Sequence, residues 1–133
     1  MLMDAWVAKH QSQAFDQNGA WAAQGTMIES LLEQMLADPF FAKVPPKSTG
    51  RDDFHLQWLE KQLGGNALKA EDVQATLLRL TVTTALQSIH TYAPQTEVLI
   101  VCGGGVRNTA LLNGLRTQAQ AMFKHGLEIQ SSE

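Results

Sequence analysis

Three consecutive glycines, Gly103-Gly104-Gly105, follow a short apolar segment and precede a helical pattern. Glycine accepts positive φ angles and has no Cβ atom, so a ligand can approach the backbone of such a turn closely. Amides of the turn and of the next helix can hold a phosphate or lie against a purine. The turn has neither the Lys-Ser/Thr of a Walker A loop nor GxGxxG spacing. From the residues alone, a nucleotide site and a tight connection without a ligand are equally supported.

Two polar residues, Arg107 and Asn108, open the helix after the glycines. Arg107 has the charge and the reach to bind a phosphate or a ribose. The amide of Asn108 can either cap the helix or bond the edge of a purine. For Asn108, a local cap is at least as well supported as a ligand contact, so both interpretations stay open.

A second polar segment, residues 47–51, places Lys47, Ser48, Thr49 and Arg51 around a glycine. Cations in such a loop can neutralise a phosphate or a carboxylate. On residue types alone, a solvated loop before a capped helix is favoured by roughly two to one. Lys47, Ser48 and Thr49 are therefore candidates for a binding cleft rather than an assigned site.

Other familiar chemical arrangements are missing from the sequence. The four histidines are far apart and form no HExxH pair, and Cys102 is the single cysteine, which excludes a CxxC zinc site and an intrachain disulfide. No Ser-His-Asp arrangement can be argued from spacing. We therefore expect no metal site.

The elements that must position these residues can be predicted from periodicity and from turn residues. Helices are predicted over residues 1–12, 20–37, about 49–63, 71 to about 91, and 107 to about 124. Strands are predicted at residues 97–102 and from residue 127, which makes a strand–helix–strand unit. After Glu97 the first strand is continuously apolar, as in parallel strands covered on both faces. The fold class is helix-rich α/β, with about five helices and a small parallel strand pair.

Composition limits the partners of the chain. It has 133 residues, 44% of them hydrophobic, and a formal net charge of −3 without any run of Lys or Arg. Nucleic acid and anionic membrane surfaces are therefore not expected as partners. No apolar run is long enough to span a bilayer, and Asp4 argues against a signal peptide, so we expect a cytoplasmic protein.

Several segments together resemble the bacterial anhydro-N-acetylmuramic acid kinases. The match covers essentially the whole chain, with the motifs in the same order and spacing. These motifs are Pro46-Lys47-Ser48-Thr49-Gly50-Arg51, Leu56-Gln57-Trp58-Leu59-Glu60, Asp72-Val73-Gln74-Ala75-Thr76-Leu77 and Val101-Cys102-Gly103-Gly104-Gly105-Val106-Arg107-Asn108.

The resemblance implies a fold and a reaction. The fold would be a ribonuclease-H-like lobe of the actin-like ATPase superfamily, in which two lobes enclose a cleft. With ATP and magnesium, the family phosphorylates the 6-position of 1,6-anhydro-N-acetylmuramic acid while water opens the anhydro bridge. The product, N-acetylmuramic acid 6-phosphate, belongs to peptidoglycan recycling. An aspartate of the other lobe activates the water, so no catalytic residue is expected in this chain.

Individual residues can be matched to the family motifs. Gly103, Gly104, Gly105 and Asn108 correspond to the adenosine-side motif and are expected near the adenine and ribose of ATP. Lys47, Ser48 and Thr49 match a signature that faces the cleft. The helix that begins at Leu2 would follow a phosphate-binding turn, so its N-terminus is expected to point toward the ATP phosphates.

The resemblance also implies missing parts, namely the N-terminal lobe with its first phosphate loop and a C-terminal tail. We therefore expect residues 1–133 to form a single partial domain, the core of the C-terminal lobe, which is inactive alone. Two alternatives stay open. One is a self-associating, non-catalytic module that contacts a second copy, as a dimer, through Trp6 and residues 98–101. The other is an unrelated nucleotide-binding α/β module.

Overall fold

The computed structural model describes residues 2–38, 56–65, 67–101 and 108–131. Within these ranges the chain forms six α-helices, one short 3-10 turn at Gln17–Gly19 and two strands. In chain order the elements are α1 (Leu2–Gln11), α2 (Ala20–Ala23), α3 (Glu29–Leu36), α4 (Leu56–Leu63), α5 (Ala70–Tyr92), β1 (Val98–Val101), α6 (Thr109–Met122) and β2 (Glu128–Ser131).

Helix α5 is the longest element, with 23 residues, and it contributes to two hydrophobic clusters. The acidic residues Glu71 and Asp72 occupy its first turn, where negative charge suits the helix dipole. Its N-terminal half packs in a first cluster against residues of α1, α3 and α4: Met3, Trp6, Leu31, Leu32, Met35 and Leu59. Its C-terminal half packs in a second cluster against α6 and the residues after it: Leu111, Leu112, Leu115, Ala119, Phe123, Leu127 and Ile129.

The predicted single helix over residues 20–37 is wrong, because the chain breaks between α2 and α3. Gly25 lies against the backbone of Glu71, leaving no room for a side chain. The amides exposed by the break bond to α5: Thr26 N–H donates to Asp72 Oδ1 at 2.8 Å and Ile28 N–H to Thr76 Oγ1 at 2.9 Å. Tertiary hydrogen bonds thus replace helical ones, and the described residues hold six α-helices rather than five.

Trp6 anchors α1 to the start of α5. Its indole Nε1–H donates to the carbonyl of Ala70 at 2.8 Å, and the side chain is only 4% exposed. The expectation that Trp6 lies at a contact with a second copy is therefore wrong, since its apolar surface is already used inside the first cluster.

Strands β1 and β2 pair in parallel, with Val98 opposite Glu128 and Val101 opposite Ser131, and α6 connects them. This confirms the predicted strand–helix–strand unit. The outer face of β1 is open, however: Val98 is 41% exposed and Ile100 is 59% exposed. The prediction of burial on both faces is therefore wrong for the described residues, whose second cluster covers only the face of β1 that carries Leu99 and Val101.

Among the helices in the described ranges, none is both long enough and apolar enough to cross a membrane.

We predict that Gly25→Ala destabilises the protein by about 1–3 kcal/mol, because its Cβ would collide with the backbone of Glu71 and Asp72, which cannot rotate away. The matched control is Gly114→Ala in α6, where the new Cβ would lie 3.1 Å from a methyl group of Val82. There, helix propensity offsets the tight contact, and we expect a change below about 1 kcal/mol. Urea denaturation measures the free energy of unfolding of both variants. Equal losses would contradict the explanation that contact with the backbone of Glu71 causes the break at Gly25.

Candidate functional site

Most of the residues predicted to bind ligand lie outside the described residues. This holds for Gly103, Gly104, Gly105 and Arg107 of the glycine turn, and for Lys47, Ser48 and Thr49 of the polar loop. Asn108 is described, and it marks the point where the glycine turn joins α6.

Asn108 is the N-cap of α6. Its backbone is extended (φ −111°, ψ 91°), and its side-chain Oδ1 accepts a hydrogen bond from the Leu111 N–H at 2.9 Å. The residue is 9% exposed, so the cap is nearly buried. The capping role left open by the sequence is thus the observed one. It fixes the direction of the first turn of α6, whose amides carry partial positive charge.

A tight turn at residues 16–19 packs against this cap. Asn18 and Gly19 both have left-handed backbone conformations, with φ of 58° and 67°. A Cβ atom at Gly19 would collide with Asn108 Oδ1 and with the Cβ of Ala110. The Thr109 hydroxyl donates to Asn18 Oδ1 at 3.4 Å, across 91 positions of sequence. The N-terminus of α6 is therefore held by a segment near the other end of the chain.

Asp16 holds the turn in place. Its carboxylate accepts hydrogen bonds from the Trp21 and Ala22 N–H groups, both at 2.9 Å, and a longer one from Gln74 Nε2 at 3.4 Å. The residue is 6% exposed. Asp16 is not among the residues that the sequence singled out. An acidic residue shortly before a helix is a capping signal that would have identified it.

Gln74 connects the turn to α5 from a fully buried position. Its Nε2 reaches Asp16, while no partner for its buried Oε1 lies in the part of the chain that the structure describes. Buried amide oxygens usually have a hydrogen-bond partner. Gln74 Oε1 is therefore an exception among the described residues.

An open cavity of about 650 Å³ lies beside the turn. Its described lining includes four glutamines, Asn18 and Trp21, together with the carboxylates of Asp16 and Glu71. Amides and an indole suit neutral hydroxyl-rich groups, whereas carboxylates disfavour phosphate, and the described lining includes no Lys or Arg.

A small aromatic group stands at the edge of this cavity. The His10 ring lies 4.1 Å from the ring of Trp6 and 6.2 Å from that of Trp21, measured between centroids. Lys9 Nζ lies 5.7 Å from the Trp6 centroid and pairs with Glu60 at 2.6 Å. Partial burial, and then the charge of Lys9, lower the pKa of His10 below its ordinary value.

Across the described ranges, no group of three or more His, Cys, Asp or Glu side chains lies close enough to hold a metal ion.

The arrangement defines the class of protein: a helix-rich α/β unit with a parallel strand pair and a capped helix, as expected for a partial lobe of an actin-like ATPase. The chain belongs to the anhydro-N-acetylmuramic acid kinase family, whose family model matches residues 1–132.

Curated relatives agree with this assignment. The chain is 50% identical over 119 residues to an anhydro-N-acetylmuramic acid kinase of Ralstonia nicotianae, a match covering 88% of this chain and 31% of the relative. It is 44% identical over 132 residues to that of Xanthomonas campestris pathovar campestris, covering 96% and 35%. For Nitrosomonas europaea the identity is 48% over 118 residues, covering 89% and 32%. The chain thus spans about a third of the length of these relatives.

We predict that Asp16→Asn lowers the free energy of unfolding by about 1–3 kcal/mol, because one of the two backbone N–H groups would then face an amide donor. The control is Glu33→Gln on the exposed surface of α3, for which we expect less than about 0.5 kcal/mol. Urea denaturation compares the two variants. A loss for Asp16→Asn no larger than that of the control would show that the carboxylate does not hold the turn.

We also predict that Lys9→Gln raises the pKa of His10, because the neighbouring positive charge is removed while the burial remains. The titration of the His10 ring by NMR measures this, with Lys124→Gln as the control. Since the folded-state pKa is below the unfolded one, the unfolded chain binds more protons at acid pH. Stability from this residue therefore falls as the pH drops through the ordinary histidine range. An unchanged midpoint in Lys9→Gln would refute the electrostatic contribution.

Proposed function

We propose that this chain contributes the adenosine side of the ATP site in an anhydro-N-acetylmuramic acid kinase. The observation that carries the proposal is the Asn108 cap, which fixes the N-terminus of α6 three residues after the last of the three glycines. Amides at the start of a 14-residue helix point toward the preceding turn and favour negative or electron-rich groups. Membership of the kinase family supports ATP as the ligand.

The proposed activity belongs to the whole protein. ATP would phosphorylate the 6-position of 1,6-anhydro-N-acetylmuramic acid while water opens the anhydro bridge, giving N-acetylmuramic acid 6-phosphate for peptidoglycan recycling. Such phosphoryl transfer depends on positioning and on neutralising charge. The relatives that carry this name are about three times as long as the chain, which supports the proposal that the chain alone is inactive.

Each candidate residue has a proposed part in the ATP site or the cleft. Gly103, Gly104 and Gly105 would let the adenine and ribose approach the backbone. Arg107 would bind a ribose or phosphate oxygen, and Asn108 would keep the α6 amides aimed at the nucleotide. Residues 47–49 would face the sugar side of the cleft.

Magnesium would enter with the ATP phosphates and neutralise their charge. The described residues provide no cluster of acidic side chains for it, so we assign its protein ligands, if any, to other segments. We place the enzyme in the cytoplasm, where ATP is available.

A second candidate function is self-association without catalysis, as a dimer. One observation favours it: Val98 and Ile100 expose an apolar strip on the outer face of β1. Exposed apolar surface of this kind promotes association. Light scattering distinguishes the two functions, because a strict monomer at high concentration contradicts self-association and leaves ATP binding possible.

We predict that the 133-residue chain binds ATP weakly, in the millimolar range, which corresponds to about −4 kcal/mol, and shows no turnover with anhydro-sugar. Gly104→Val should abolish binding by filling the turn, whereas Gly114→Ala, in the middle of α6, should not. NMR titration with ATP measures the affinities. Equal affinity in Gly104→Val and the wild type would contradict the proposed site, and turnover by the chain alone would contradict its inactivity.

A matched pair at position 108 separates the two roles of the asparagine. Asn108→Ser keeps a capping oxygen but loses the amide, and Asn108→Ala loses both. If Asn108 acts through the cap, Asn108→Ser retains most of the ATP affinity. An equal loss in both variants would instead indicate a direct contact through the amide.

A further inference from the structure

Gly19 meets the N-terminus of α6 more closely than any side chain would allow. The space where its Cβ would stand is taken by Asn108 Oδ1 and by the Cβ of Ala110, and Ala110 N would lie 3.3 Å away. Its φ of 67° independently disfavours any residue with a side chain. Two separate constraints therefore require glycine here, and one of them is contact with the cap of α6.

The oxygen that Gly19 touches is the one that performs the capping. Asn108 Oδ1 accepts the Leu111 N–H at 2.9 Å on its other side. Any side chain at position 19 would have to push this oxygen away from Leu111 or push the whole first turn of α6 outward. The neighbouring Asn18 adds a polar contact, because it accepts the Thr109 hydroxyl at 3.4 Å.

The turn is itself held by hydrogen bonds to α2 and α5. The Asp16 carboxylate holds the start of α2 through two backbone N–H groups, and Gln74 ties it to the buried face of α5. Helix α6 also packs on α5 further along, where Gly114 faces Val82. The position of α6 is thus set at two levels, by α5 at its middle and by Gly19 at its N-terminus.

We infer that Gly19 is a positioning residue for nucleotide binding: it seats Asn108, and through Asn108 it sets where the first-turn amides of α6 point. The inference rests on the proposed function, since those amides follow the glycine turn assigned to adenosine. Nothing in the sequence pairs position 19 with position 108, because the contact spans most of the chain.

The test compares Gly19→Ala with Gly65→Ala. Both glycines have positive φ, 67° and 78°, so both variants strain the backbone alike, but a Cβ at Gly65 meets nothing within 4 Å. The difference between them isolates the contact with Asn108. Two quantities are measured on the folded 133-residue chain: the hydrogen-exchange rate of the Leu111 amide and the dissociation constant for ATP by NMR titration.

For Gly19→Ala we expect at least tenfold faster exchange at Leu111 and at least fivefold weaker ATP binding. For Gly65→Ala we expect both values within twofold of the wild type. Adding Ala110→Gly to Gly19→Ala removes one of the two collisions and should restore part of both losses. If Gly19 only stabilised the fold, the double variant would not bind ATP more tightly than a Gly19→Ala variant of the same stability.

A milder variant guards against failure of Gly19→Ala to fold. Asn18→Gly removes the acceptor of the Thr109 hydroxyl without adding bulk, and glycine accepts its φ of 58°. We expect smaller changes in the same direction, about twofold to threefold in each quantity. No change in either quantity would count against the positioning role.

The outcomes separate the two proposals. If the wild-type chain does not bind ATP at millimolar concentration, the proposed function fails, and the Leu111 exchange alone decides whether Gly19 seats the cap. If the wild type binds ATP and Gly19→Ala binds it as well as Gly65→Ala does, the positioning inference is overturned while the proposed function stands.

Discussion

Burial of α5 between Val73 and Leu86 is the constraint on which the remaining structure depends. Its apolar side chains face two clusters, and Leu78 packs against both. A helix in this position must also satisfy the polar groups it covers. Asp72 and Thr76 accept the amides released by the break before α3, and Gln74 reaches the Asp16 carboxylate. Helix α5 thus provides both the apolar side chains that pack in the two clusters and the polar side chains that bond to the segment before α3 and to Asp16.

These contacts explain how a short segment near the start of the chain influences the beginning of α6. Asp16 fixes the turn, the turn carries Gly19, and Gly19 abuts the cap of α6. Each step is a contact between atoms at hydrogen-bond or van der Waals distance. The site is therefore supported by elements that have no chemical role of their own.

Local patterns predicted a large part of this fold. The stripe of α5, the helix after the glycines and the strand–helix–strand unit depend on periodicity within one segment, and all three are present. The break at Gly25 could not be predicted, because residues 27–36 continue an apolar pattern and the cause lies in the backbone of Glu71. The exposure of the outer face of β1 could not be predicted either, because it depends on which other elements pack there and not on the residues of the strand.

The candidate site divides in the same way. That Asn108 would cap a helix follows from its type and place, and the structure confirms this alternative. The role of Asp16 could have been predicted, because an acidic residue shortly before a helix is a capping signal. The approach of Gly19 to Asn108 has no local signal at all, because it joins residues that are 89 positions apart.

The parallel pairing of β1 and β2 has a consequence for the order of folding. Val98 and Glu128 become partners only after the intervening residues, including all of α6, have turned back on themselves. Closing such a loop costs entropy before any ladder hydrogen bond forms, so strand pairing comes after the helices have docked. Until that moment the apolar segment at residues 98–101 has no partner strand within the described ranges, and an unpaired apolar strand edge is prone to association.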